Sequence, residues 1–230
     1  DLTEFIQDAF EVAFTHTGKP TEGDYLRWQY GGWSYSCSIG WENGGYVLEA
    51  SIMMTYYTTA AQEAKMDTEV AKLLNSLDLN GQSQYNKVKR IYDYICDNVE
   101  YDYVHLNNWS YKLQYTAYAA LINGTAVCQG YAVLFYRLLL ECGIDARVVT
   151  SYDHAWNIVK LGNLYYNADS TWDAGAWSYS YFLTCPANFE DDPSHIREEP
   201  YCLDAFYEAY PMADQDYDPN AADYEQIGRA

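Results

Sequence analysis

Residues 154–161 and 164–172 are two extended runs separated by Gly162-Asn163. A two-residue linker of this kind predicts a tight hairpin turn. It constrains the fold more than any other stretch, because a tight turn fixes which residues face each other. With Gly162 and Asn163 at the tip, paired positions sum to 325. Trp156 then faces Asp169, and His154 faces Thr171. His154 and Asp169 become diagonal neighbours on one face of the sheet, about 7–8 Å apart before their side chains reach out. Asp153, adjacent to His154, points to the opposite face. Asp173 has the same parity as Asp169 and is the rival carboxylate.

The run before the hairpin is helical. From Thr125 to Gly143, the residues Tyr131, Leu134, Phe135, Leu138, Leu139 and Cys142 recur at helical spacing. Gly143 suits the left-handed position that closes a helix. Thr125 is a suitable N-cap, which makes Cys128 the third residue of the first turn. Unpaired N–H groups and the helix dipole favour a thiolate there. The same N–H groups can receive the oxyanion formed when an acyl carbon is attacked. A cysteine at a helix start, a histidine on a strand and an aspartate on the next strand form a candidate catalytic set. Cys128 would be the nucleophile, His154 the base and acid, and Asp169 the group that orients the imidazole. Singly, each residue is unremarkable, since a free cysteine is most often core filler. The specificity lies in their joint placement.

The remaining chain alternates helical and extended patterns. Residues 1–18 read as an amphipathic helix with Leu2, Phe5, Ile6, Ala9, Phe10, Ala13 and Phe14 on one face, an Asp1/Glu4 capping box, and Gly18 and Pro20 as stops. Residues 24–57 predict a small antiparallel sheet with turns at Gly31-Gly32 and Asn43-Gly44-Gly45. A helix with a Thr59/Gln62 capping box carries Ala64, Ala71, Leu74 and Leu77 as its stripe and ends at Asn80-Gly81. Ser83 opens another, whose buried face is Tyr85, Val88, Ile91, Tyr92, Ile95 and Val99. Residues 111–122 predict a short helix closed by Asn123-Gly124. Residues 146–151 and 176–183 add strands, and the acid-rich 213–225 reads as a solvated tail. The organisation is a helix-and-sheet extension over 1–80, a core over 81–210 and an acidic tail over 211–230.

Composition narrows the function classes. Hydrophobic residues make up 49% and charged residues 20%, a globular mixture. Thirteen basic residues against 33 acidic ones leave a net charge of −20, which repels a phosphate backbone and an anionic membrane surface. No apolar run reaches a membrane span. The six cysteines include no C-x-x-C pair, and neither H-E-x-x-H nor an EF-hand loop occurs, so zinc and calcium signatures are missing. With Cys128 free, Cys185 and Cys202 are the best-placed pair for a disulfide.

Several motifs resemble one family. The run from Gly124 through Cys128-Gln129-Gly130-Tyr131 to Ala132, followed by Cys142-Gly143-Ile144-Asp145-Ala146-Arg147-Val148-Val149, resembles the nucleophile helix and next strand of the transglutaminase-like superfamily. His154-Ala155-Trp156-Asn157 resembles its histidine motif, and Asp169-Ser170-Thr171-Trp172-Asp173 its aspartate motif. Lys89 to Ile95 with Tyr101-Asp102-Tyr103 looks like the preceding helix and turn. The resemblance covers roughly residues 84–185, in the right order, and points to the bacterial transglutaminase/protease-like branch. It implies an α+β, papain-like core, with the cysteine helix packed on an antiparallel sheet, and Cys128, His154 and Asp169 as the triad. Tyr118 and Gln114 are candidates for a second oxyanion donor, with Trp156 as further site support. It implies no cofactor and no metal. The expected partner is a peptide or protein substrate, cell-wall peptide included, and the expected location is secreted or at the cell surface.

Two classes of function compete. An enzyme would pass an acyl group through a Cys128 thioester to water or to an amine, water being the default acceptor. A binding module would present the fold, with its 26 tyrosines, to peptide or glycan without chemistry. The intact Cys-His-Asp set favours the enzyme.

Overall fold

The computed structural model describes residues 2–176 and 178–221. Its N-terminal part holds helix α1 (Leu2–Ala13), a single helical turn α2 (Asp24–Arg27), strands β1 (Tyr30–Glu42) and β2 (Gly45–Tyr56), and helix α3 (Ala60–Ser76). The first helix stops short of the predicted residue 18, and its Asp1 cap lies outside the described residues. The sheet expected over 24–57 is one long hairpin preceded by α2. Asn43-Gly44 makes its turn, but Gly31-Gly32 does not turn the chain. The register shifts between Tyr30 and Gly32, so the glycines form a bulge in β1. The Thr59/Gln62 capping box is formed. Met66, Val70 and Leu73 are the buried face of α3, while Ala64 and Ala71 face outward. The larger side chains win the core because burial scales with apolar area.

Helix α4 (Gln84–Asn98) begins at its Ser83 cap and buries Val88, Ile91, Tyr92 and Ile95 as expected. It leads into β3 (Glu100–Tyr101), which pairs in parallel with β4 (Thr125–Ala126). Between them, the predicted helix over 111–122 is a 3₁₀ turn at Lys112–Tyr115 and a π turn at Ala119–Asn123. Gly124 closes that segment in the left-handed conformation, φ 69°. Helix α5 (Cys128–Glu141) follows, then an antiparallel sheet of β5 (Ala146–Thr150), β6 (Ala155–Leu161) and β7 (Leu164–Ala168). Helix α5 packs against β5 and β6 on one side and α4 on the other. Every residue from Gly130 to Leu140 is buried. The expected one-sided stripe is therefore a helix covered all round, the mark of a central element. Its one cation, Arg137, is paired with Asp67 at 2.8 Å and Glu141 at 3.0 Å. The N–H groups of Gly143 and Ile144 return to the carbonyls of Leu140 and Leu139, the Schellman closure that the glycine predicts.

Strand β7 ends at Ala168, four residues before the predicted end. Asp169 instead caps the short helix α6 (Ser170–Asp173), and competition from that side-chain cap stops the strand. Strand β8 (Phe182–Thr184) completes the sheet in the order β5-β6-β7-β8. Helix α7 (Pro186–Phe189), a 3₁₀ turn at Pro193–His195 and helix α8 (Asp204–Ala209) follow. Phe189, Tyr201 and Phe206 form a second core with Val149, Trp156, Ile158 and Tyr165. The described part of the predicted acidic tail is anchored. Ala213 N–H donates to Tyr165 O, Tyr217 N–H to Leu183 O, and Asp216 accepts from Cys185 N–H at 2.8 Å. Backbone groups there need partners whatever the local composition. Residues 222–230 lie outside the described residues. All six cysteines are free thiols: Cys185 is buried and Cys202 exposed, so the disulfide expected between them is not formed. Among the described residues, no helix is long and apolar enough to cross a membrane.

Candidate active site

Cys128 is the first residue of α5, two positions earlier in its helix than the sequence suggests. Thr125 and Ala126 are drawn into β4 by pairing with β3, and Val127 takes the cap position without a side-chain bond. The N–H groups of Gly130 and Tyr131 return to Val127 O, so the Cys128 N–H precedes the helix's own ladder. The Tyr101 hydroxyl meets that N–H. Burial and the neighbouring Cys128 charge push the phenol up to about 12, with the N–H pulling the other way. Gly130 lets this first turn press against the chain at 114–116. A Cβ there would lie 2.6 Å from the Ala126 Cβ and 3.0 Å from the carbonyls of Gln114 and Thr116.

The hairpin has the predicted register, from Asn157 opposite Ala168 to Leu161 opposite Leu164. His154 stands just before β6, its N–H on Ser151 Oγ at 3.2 Å. Its Nε2–H donates to Asp169 Oδ2 at 2.6 Å. The Cys128 side chain acts on the same imidazole through a side-chain hydrogen bond and its charge. Burial favours the neutral ring, but the bonds to Asp169 and Cys128 outweigh it and raise His154 to about 10. The Asn157 amide donates to Ala132 O at 2.9 Å and ties the strand after His154 to the Cys128 helix.

Asp169 is fully buried and held by four donors. Its Oδ1 accepts the N–H groups of Thr171 and Trp172 at 2.9 and 3.2 Å. Its Oδ2 accepts from His154 and, at 3.0 Å, from His195 Nε2. Burial alone would favour the acid form. Those imidazole bonds and charges reverse it and lower the carboxyl below its usual range. Asp173 is turned elsewhere: it accepts from the Tyr92 hydroxyl at 2.7 Å and from Tyr181 N–H at 3.1 Å, and burial raises it. The carboxylate on His154 is thus Asp169.

His195 is the residue that sequence reasoning misses. It sits in a segment without periodicity, and no motif marks it. It is fully buried, packed on Phe189 and Trp172 at ring distances of 4.0 and 4.3 Å. His154, Asp169 and His195 have donor atoms close enough to share a metal ion. The 2.6 and 3.0 Å separations are already direct hydrogen bonds, however, and backbone N–H groups occupy the other carboxylate oxygen. The group fits a hydrogen-bonded relay better than a metal cage.

The three supporting candidates separate. Trp156 lies beside the imidazole, ring centroids 6.0 Å apart, and anchors its indole N–H on Asn167 Oδ1 at 3.1 Å. Gln114 braces the first turn of the Cys128 helix through its backbone, its carbonyl accepting the Val127 N–H. Its side-chain amide donates to Asn108 O at 3.4 Å. Tyr118 faces α3, with the Lys65 ammonium 6.0 Å from its ring. The hydroxyl that meets Cys128 is that of Tyr101, within the Tyr-Asp-Tyr motif.

Kyphoscoliosis peptidase of Mus musculus is 27% identical over 160 residues, 58% of this chain and 24% of that protein. The Homo sapiens protein is 26% identical over 159 residues, 57% of this chain and 24% of its own length. The chain therefore spans about a quarter of the length of these relatives. A crystal structure of a TGase superposes with a TM-score of 0.44 at 21% identity, covering 59% of this chain and 44% of that one. The family profile of the transglutaminase-like superfamily matches residues 71–190, over half the sequence and the whole Cys128–His154–Asp169 set, and the chain belongs to that superfamily.

Proposed function

We propose that this chain is a thiol-dependent acyl-transfer enzyme acting on peptide or amide bonds, with water as the usual acceptor. The observation that carries the reading is His154, hydrogen-bonded to Cys128 on one side and to Asp169 at 2.6 Å on the other. The Cys128 thiolate adds to the acyl carbon, and the carbonyl oxygen becomes an oxyanion beside the Cys128 N–H. The His154 imidazolium gives its proton to the leaving nitrogen, the C–N bond breaks, and a thioester remains. His154, now neutral, takes a proton from water as the water oxygen attacks the thioester, and Cys128 leaves as thiolate. Asp169 holds the ring and balances its charge throughout.

The peptidase name of the mammalian relatives supports hydrolysis over transfer to an amine. The net charge of −20 favours neutral or basic peptides, and we place the protein outside the cell or at its surface. The test is a mixed peptide library incubated with and without a primary amine. Cleavage lost in Cys128→Ala supports the peptidase, and amine incorporation would point to transglutaminase activity. If no chemistry occurs, yet Cys128→Ala binds peptide or glycan as well as the native chain, the site is a binding module and the proposal fails.

A further inference from the structure

The β1–β2 hairpin has two unlike faces. Trp33, Tyr35, Cys37, Ile39 and Trp41 alternate along β1, and the register sets Met54, Ile52, Ala50, Leu48 and Tyr46 opposite them. Directly opposed residues share a face, so these ten make one surface without a single charge. The reverse face carries Ser34, Ser36, Ser38, Gly40 and Glu42 against Met53, Ser51, Glu49, Val47 and Gly45. At the base of the apolar face, Trp33 packs edge-on against Phe10 of α1, 5.3 Å between rings. Beyond that point Tyr35, Ile39, Trp41, Tyr46, Leu48 and Ile52 are exposed, Ile39 by 72% and Tyr46 by 81%. Scattered exposed apolar residues need no explanation, but a contiguous patch marks an interaction surface. A two-stranded hairpin is also marginal in water without something packed on it.

We propose that a second copy of this chain covers this face, the two hairpins stacking about a twofold axis as a four-stranded sandwich. Three observations select that occupant. An apolar face without charge meets its own copy with no charge left unpaired, and a twofold interface needs such a self-complementary surface. The six exposed side chains present on the order of 600 Å², so two copies bury about 1,200 Å², where specific interfaces begin. A membrane is the poorer match, because the chain's charge of −20 repels anionic lipid. Cys37 is the middle residue of the β1 run from Trp33 to Trp41 and is exposed. A twofold axis through the centre of the face brings two Cys37 residues together.

Charge gives this dimer a distinctive signature. Two strongly acidic chains repel, and the interface holds no ion pairs to screen, so added salt tightens association. Sedimentation equilibrium of the native chain should show a dimer that strengthens from low to moderate salt. Ile39→Lys combined with its cross-strand partner Leu48→Lys should yield a monomer. Lysine lowers the net negative charge, so the overall repulsion between two acidic chains cannot account for the loss, which reports charge placed within the apolar face. Trp41→Thr with Tyr46→Thr keeps β propensity and should also weaken the dimer. Cys128 alkylation at the native rate reports that each variant is folded. A short bis-maleimide should link Cys37 to Cys37, located by peptide mapping. A native chain that stays monomeric at high concentration and salt overturns the proposal, as does a dimer that survives in both double variants. So would a monomer that binds neutral phosphatidylcholine vesicles through this face, which would replace the second copy with lipid.

Discussion

Asp169 Oδ2 receives two imidazoles, His154 Nε2 at 2.6 Å and His195 Nε2 at 3.0 Å. The first faces Cys128, and the second is buried behind it among Trp172, Phe189 and Tyr181. Replacing His195 by Phe keeps that packing and removes one of four donors to the carboxylate. A hydrogen bond to a charged group contributes roughly 1.5–3 kcal/mol, so kcat should fall about tenfold or more, with KM little changed. His195→Gln, which retains a donor, should recover much of the loss. Equal activity in all three proteins would show that His195 only fills space.

The pH profile follows from His154. Its value is raised from 6.5 to about 10, so the imidazolium persists well into alkaline solution. Activity that needs the imidazolium to protonate a leaving nitrogen should decline as pH rises through about 10. Asp169→Asn removes the carboxylate that supports the cation, so the alkaline limb should move toward lower pH and kcat should drop by about 10²–10⁴. The sign for stability is the same. A raised histidine stabilises the fold fully below its unfolded value of 6.5, and that contribution is lost as pH climbs through about 10. Thermal melts of native and Asp169→Asn protein between pH 6 and 10 should therefore converge at the alkaline end.

Thiol reactivity offers a direct test of the nucleophile. Burial raises Cys96, Cys142 and Cys185, the first further raised by the charge of Asp173. Cys128 sits at a helix start and shares a hydrogen bond with His154. Limiting iodoacetamide at pH 6, followed by peptide mass spectrometry, should label Cys128 ahead of those three. The lead should shrink in His154→Ala. Labelling of Cys96 or Cys142 at the same rate as Cys128 would remove the case for an activated thiol.

The hairpin register was legible because a two-residue turn leaves the strands one pairing, and that pairing brings His154 and Asp169 together. Helix α5 was legible from its spacing, but its start was not. Thr125 has cap chemistry, and only the long-range pairing of β3 with β4 shows that it is strand. The turn at Asp169 was hidden for a related reason: a strand continued and a strand capped by its own aspartate have the same local pattern up to residue 168. His195 and Tyr101 reach the site through tertiary packing, which leaves no periodicity to read. The same holds for residues 213–217, whose acidic composition masks backbone hydrogen bonds to Tyr165 and Leu183.

Gly130 tests how tightly the first turn of the Cys128 helix is built. Alanine is intrinsically the better helix residue by about 1 kcal/mol, so an open site would be stabilised by Gly130→Ala. Here the added Cβ would lie 2.6 Å from the Ala126 Cβ and 3.0 Å from two backbone carbonyls. Neither β4 nor the 114–116 segment has a flexible side chain to yield there, so backbone must move. Overpacking of this kind costs about 1–3 kcal/mol, which exceeds the propensity gain. Gly130→Ala should lower Tm by several degrees, at about 2–4 °C per kcal/mol for a chain of this size. It should also lower kcat, because the displaced turn carries Cys128 and its N–H away from His154. A variant with unchanged or higher Tm and native activity would mean that the first turn of α5 sits further from Ala126 than this structure places it.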